Sequence, residues 1–192
     1  MVFLILIFGM PFLISLLAFN QFSGDVQSRG LRYLLIRTER SNIYVGRFLG
    51  TALFSTLVIA AIVATITFYL GVKLEIYSAG ALSLWGLQGF LALSVQMLPY
   101  IALCTLVSAV IDSPFLSLII DKLIIGGVLL FAFLGGLAWE PARYLKYSLP
   151  WGLQNYLLHP DASHWLGAGL ACLGYTAVFF LLGYIRFQRR DL

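Results

Sequence analysis

Long apolar runs separated by short polar ones organise this chain, and the first 24 residues carry no charge at all. A membrane helix needs about 20 apolar residues at about 1.5 Å of rise each. Five runs meet that length: roughly 1–19, 48–72, 81–111, 118–139 and 165–185. Lys73 and Glu75 close the second run and Asp112 closes the third, while Asp121 and Lys122 stand near the start of the fourth. Pro99 removes a backbone hydrogen bond inside the third run, which predicts a tilt or kink there. Two connections are longer than the rest. One is a basic block, 24–47. The other, 140–164, is aromatic-rich, moderately apolar and broken by Pro141, Pro150 and Pro160. Its centre is too short to cross, which predicts interfacial or re-entrant short helices. Trp139, Trp151, Trp165 and the nearby tyrosines suit a belt at the headgroup level.

Composition removes the soluble alternative. Of the 192 residues, 61% are hydrophobic and 10% charged, where a soluble domain carries about 25% charged residues. A core of this size would lack a charged shell. The expected fold is all-α: one polytopic membrane helical bundle over residues 1–192, with five spans. A signal peptide would open with a basic region and close at a small-residue cleavage site. Neither is seen, so the first run is predicted to be a membrane helix.

Charge then sets orientation. Arg29, Arg32, Arg37, Arg40, Arg47, Lys122, Arg186, Arg189 and Arg190 fall on one side, nine in all, against Lys73, Arg143 and Lys146 on the other. Lysine and arginine collect on the cytoplasmic side of a cell membrane, which places the basic block and the C-terminus in the cytoplasm. The net charge of +4 follows this topology and does not point to nucleic acid. With five crossings the N-terminus falls outside, yet Met1 opens directly in lipid. Either the chain begins there or an earlier helix precedes it, and the count favours the second.

Within the basic block, Asp25 and Arg29 have the i, i+4 spacing and order that favour an ion pair on a helix. Leu31, Leu34 and Leu35 form a narrow apolar stripe, with Arg32 and Arg37 off it and Gly30 as a weak point. This predicts a short amphipathic helix along the membrane surface. Thr38, Ser41 and Asn42 offer capping oxygens for the helix that follows. A loop needed only for topology, with arginines reaching lipid phosphates, would not require such an elbow or a Glu39 among its arginines. A docking surface is the sharper reading.

The order of residues here resembles the permease subunits of ABC transporters of the type-2 exporter class, above all the single-domain bacterial ones. Those carry an acid, a glycine, a leucine pair, an arginine, and a glycine with a basic residue entering the next span. The corresponding residues here are Asp25, Gly30, Leu34 and Leu35, Arg40, and Gly46 with Arg47. Asp25 stands where glutamate is commoner, and Arg37 where a proline often precedes the arginine. The tail from Arg186 and the Pro150 segment before the last span are similar too. The resemblance implies six spans, a second permease copy or paralogue, and a dimer of cytosolic ATPase subunits that bind ATP and magnesium. It implies that Asp25, Arg29, Gly30, Arg32, Arg37, Glu39, Arg40, Arg47 and Asp112 face that ATPase. No GxxxxGK[ST] motif occurs, so this chain lacks that route to ATP hydrolysis, and no enzyme activity or cofactor is expected of it.

Polar residues inside the spans are predicted to face the bundle interior. Gln88, Ser94 and Gln96 with Pro99 are candidates for a substrate path, and interhelical hydrogen bonding is the plainer role for them. No charge is expected deep in a span, which argues against proton- or ion-coupled transport. Asp112 and Asp121 read as boundary residues of the second cytoplasmic turn. Their other use would be as the carboxylates of a membrane-embedded lipid-modifying enzyme, and a structural subunit of a larger membrane complex, with no transport path, is the remaining alternative for the chain. Cys104 and Cys172 lie in apolar runs and read as fillers. His159 and His164 are five apart across Pro160, do not share a helix face, and lack further visible ligands, so no metal is expected.

Overall fold

The computed structural model describes residues 2–28, 30–36, 38–73, 78–159 and 161–189. Every element in it is helical. Five stretches are long and apolar enough to cross a membrane: Ile5–Gln27, Arg40–Lys73, Ala79–Val110, Pro114–Ala138 and Ser163–Gln188. In chain order the helices are α1 (Val2–Ala18), α2 (Ser23–Gln27), α3 (Gly30–Leu35), α4 (Arg40–Lys73), α5 (Ala79–Val110) and α6 (Pro114–Ala138). Two 3-10 helices follow, Glu140–Ser148 and Pro150–Leu153, then α7 (Gln154–Leu157) and α8 (Ala162–Gln188). The helical membrane bundle expected from hydropathy is present, with short helices where the two longer connections lie.

α5 is the axis of the bundle. It touches α1, α4, α6 and α8, and 67% of its span is buried, against 17% for each of α4, α6 and α8. Apolarity does not set it apart, since lipid and a helix interior are alike apolar. Small and polar residues do: Gly86, Gly89, Ala92, Ala102, Thr105, Ser108 and Ala109 are all buried along it. Small side chains let helix backbones approach and hydrogen-bonding ones join them. α8 answers with Gly183, where an added Cβ would run into the Tyr44 hydroxyl and lie 3.1 Å from Leu106 Cα. α5 continues as one helix through Pro99.

One proline and two glutamines organise the middle of the bundle. Pro11 in α1 has no N–H, so the Ile7 carbonyl four residues earlier loses its intrahelical partner. Gln96 of α5 and Gln154 of α7 both donate their side-chain amides to that carbonyl, at 3.3 and 3.4 Å. Both glutamines are essentially fully buried. The pairing makes a test. Gln96→Leu should destabilise the bundle by about 1 kcal/mol by weakening the hold on a buried carbonyl. The same change in a Pro11→Ala background should cost clearly less, because residue 11 then donates to Ile7 itself. Equal costs in the two backgrounds, measured by unfolding in detergent, would refute this account.

The segment between α6 and α8 turns into the protein. Pro150, Trp151, Gly152, Gln154 and Leu157 are buried. Trp151 was placed by sequence in a headgroup belt, and the structure corrects this: it is 5% exposed. Its indole N–H donates to the Ile125 carbonyl at 3.2 Å, near the midpoint of α6. Its ring lies 5.9, 6.0 and 6.1 Å from those of Phe8, Phe12 and Tyr100. Trp139 by contrast is 69% exposed. Short, broken helices can fold back into a bundle where protein surrounds their backbone, which is the case here, so the segment is re-entrant with respect to the bundle. It is also held at its rim. The Arg143 Nε donates to the Gly136 carbonyl at 3.2 Å, and the Tyr175 hydroxyl of α8 donates to the Tyr147 carbonyl.

Candidate coupling surface

At one end of the bundle the chain leaves α1, turns, and runs through α2 and α3 before rising into α4. The turn is pinned by Phe22, fully buried. Its ring stacks on Tyr44 of α4 at 5.4 Å and meets Phe187 of α8 at 4.7 Å, with the Arg47 guanidinium 5.1 Å above it. Leu31 of α3 completes this cluster with Ile43, Tyr44, Ala109 and Phe187. Leu34, placed by sequence on the same stripe, is 42% exposed. A helix of six residues offers a narrow face, and the cluster takes Leu31 from it.

Hydrogen bonds join the turn to the helices around it. The first N–H groups of a helix need partners, but the residue at the cap of α2 is Phe22, which has no acceptor. Ser108, in the last turn of α5, supplies one: its Oγ accepts from Phe22 N at 2.9 Å and Ser23 N at 3.0 Å. Gln21 bridges two spans, donating to Thr51 Oγ1 of α4 at 3.0 Å and accepting from Thr105 Oγ1 of α5 at 2.9 Å.

The charged residues fall into the same frame. Asp25 of α2 forms an ion pair with Arg47 of α4. Sequence spacing assigned Asp25 to Arg29, which lies outside the described residues, as does Arg37. Arg32 lies in α3. Gly30 opens α3, just past the end of α2 at Gln27. Glu39 is exposed and accepts from Ser41 Oγ at 3.3 Å. Ser41 therefore turns to Glu39 and lies already inside α4, which begins at Arg40. Arg40 Nη1 donates to the Gln188 carbonyl of α8 at 3.0 Å. A cation at a helix C-terminus meets unpaired carbonyls and the negative end of the dipole. Asp112 is exposed in the turn between α5 and α6, at this same end.

The candidate path residues sit elsewhere. Gln88 and Ser94 are half-buried, whereas Gln96 and Pro99 lie within the core of α5. Gln96 already serves the Ile7 carbonyl. The structure brings these four residues along one helix without joining them to the elbow.

One charged group departs from the sequence reading. Asp121 is fully buried, with the Cys104 thiol of α5 beside its carboxylate. α6 begins at Pro114, four residues before the predicted run, which moves Asp121 from the boundary into the third turn. Its neighbour Lys122 donates to the Phe12 carbonyl at 2.6 Å and lies 5.3 Å from the Phe12 ring centroid. Asp121 thus lies within the stretch Pro114–Ala138 that is long and apolar enough to cross a membrane, where the sequence reading had placed it at a boundary. Asp112 and Asp121 accordingly occupy unlike environments, one exposed and one enclosed.

Neither a family model nor a curated protein matches this chain.

Proposed function

We propose that the chain is the membrane-spanning permease subunit of an ATP-binding cassette exporter. In this reading α2, α3 and the first turns of α4 form the surface on which a separate cytosolic ATPase docks. Two ATPase subunits and a second permease copy or paralogue complete the transporter. The basic end is cytoplasmic, in a bacterial inner membrane.

One observation carries the reading: the elbow is fastened to several spans at once. Phe22, Ser23 and Asp25 connect it to α4, α5 and α8 through an aromatic cluster, a shared serine and an ion pair. A push on such an element moves the spans as rigid bodies. A loop serving only topology needs no such fastening. The resemblance of Asp25, Gly30, Leu34, Leu35, Arg40, Gly46 and Arg47 to the permease pattern supplies the nature of the partner. α4, α6 and α8 each leave most of their apolar surface uncovered, which is consistent with lipid and a second permease around them.

The test is reconstitution with the ATPase. Charge reversal at Arg37 and Arg40 together should uncouple ATP hydrolysis from transport while the protein stays in the membrane. Coupling that survives the double reversal would remove the docking assignment.

A further inference from the structure

At the end of the bundle opposite the elbow, the chain passes from α7 into α8 through His159 and Asp161. His164 follows in the first turn of α8. Spacing alone sets the two histidines apart, because residues five apart do not share a helix face. His159, however, precedes the helix, and the turn folds it back. The two imidazole rings lie 4.6 Å apart. Asp161, which spacing did not bring in, stands between them. Its Oδ2 is 3.4 Å from His159 Nδ1 and 3.8 Å from His164 Nδ1, and the three ligand atoms all lie within 4.8 Å of one another.

These distances can be compared with what a metal needs. Zinc binds imidazole nitrogen and carboxylate oxygen at about 2.0–2.2 Å, and tetrahedral angles then separate the ligand atoms by roughly 3.3–3.5 Å. The two nitrogen-to-oxygen distances are at or near that separation, and small rotations of exposed side chains close the rest. Two imidazoles and one carboxylate make a borderline ligand set that favours zinc and its neighbours over calcium or magnesium. The set leaves a fourth position open to solvent. Tyr156 of α7 stacks on His164, with 6.0 Å between ring centroids and 12° between planes, and so orients that ligand. The Asp161 N–H that now meets His159 Nδ1 at 3.2 Å gives way to the metal and turns to water.

We propose that His159, Asp161 and His164 bind a divalent transition-metal ion, zinc above all, at the junction of the re-entrant segment and the last span. The ion clips the end of α7 to the first turn of α8. The site is independent of the coupling surface and of the transporter reading. Under that reading it faces away from the cytoplasm.

The full chain, purified in detergent, can be titrated with Co2+ and read by visible absorption, then displaced by Zn2+. The expected result is an intense tetrahedral d–d band that Zn2+ abolishes. The band should be lost in His159→Ala/His164→Ala, and apparent affinity should fall by roughly 10–100-fold or more in Asp161→Asn. All three side chains are solvent-accessible, so the variants should elute from size exclusion as the parent does. Should the double variant aggregate, the Asp161→Asn comparison decides alone. A spectrum of the hydrated octahedral ion only, or an unchanged band in the variants, overturns the site. So does a sulfur charge-transfer band, which would trace the metal to Cys104 or Cys172.

Discussion

Under the proposed permease reading, Arg47→Asp is expected to cut stimulation of the partner ATPase by roughly 5–150-fold, the range of a coupling free energy of about 1–3 kcal/mol. The change places two carboxylates face to face where Asp25 and Arg47 now pair. It also removes the guanidinium from above Phe22. Repulsion should lift α2 from α4 at the point where the elbow is fastened. Stability should change little, because both partners are partly exposed, 26% and 39%, and exposed ion pairs contribute about 0–1 kcal/mol. The decisive comparison is the exchanged pair, Asp25→Arg with Arg47→Asp, which restores attraction with the signs reversed. Stimulation should recover in part. An exchanged pair no better than the single reversal would mean that the pair does not transmit the motion. A single reversal with normal stimulation would mean that the elbow is not the lever.

Trp151→Ala should have the largest effect on stability of any single change in the re-entrant segment. Truncating a buried tryptophan costs about 3–5 kcal/mol. Here it also removes the indole N–H from the Ile125 carbonyl and the ring from among Phe8, Phe12 and Tyr100. Trp139→Ala is the matched control, since Trp139 is 69% exposed, and should fall within about 1 kcal/mol of the parent. Reversible unfolding in detergent, with protease sensitivity of residues 140–158 as a second readout, separates the two. Equal losses would return Trp151 to the headgroup belt.

The two tryptophans mark what hydropathy can and cannot reveal. Length and apolarity locate all five spans, since the bilayer imposes them residue by residue. Prolines and aromatic content likewise reveal that 140–164 does not cross. Which aromatic turns inward depends on the space left between α1, α5 and α6, and no local pattern carries that. The centrality of α5 was partly readable, because Gln88, Ser94 and Gln96 mark it as interior-facing. Its buried glycines and alanines were the further signal.

The candidate coupling surface was legible in outline only. Density of arginine picked out the elbow, and Asp25, Glu39, Arg40 and Arg47 fall on it. Apart from Ser41 beside Glu39, their partners were not legible, because they are far away in sequence. Asp25 reaches Arg47 across 22 residues, Phe22 N reaches Ser108 across 86, and Arg40 reaches Gln188 across 148. Helical spacing rules speak only of neighbours within a turn or so. Asp121 was misplaced for a related reason. A hydropathy window counts a helix from its first apolar run, whereas α6 begins at Pro114, whose fixed φ suits a first turn.

The re-entrant segment also has an order in time. Phe8, Phe12, Tyr100 and Ile125, which receive Trp151, are all synthesised before it. So are Ile7 and Gln96, which meet Gln154. The socket can thus be complete when its plug leaves the ribosome. The Tyr175 hydroxyl, which bonds the Tyr147 carbonyl, emerges only with α8. Insertion of α8 can then latch a segment already seated, and a chain truncated before residue 162 should hold its plug without the latch.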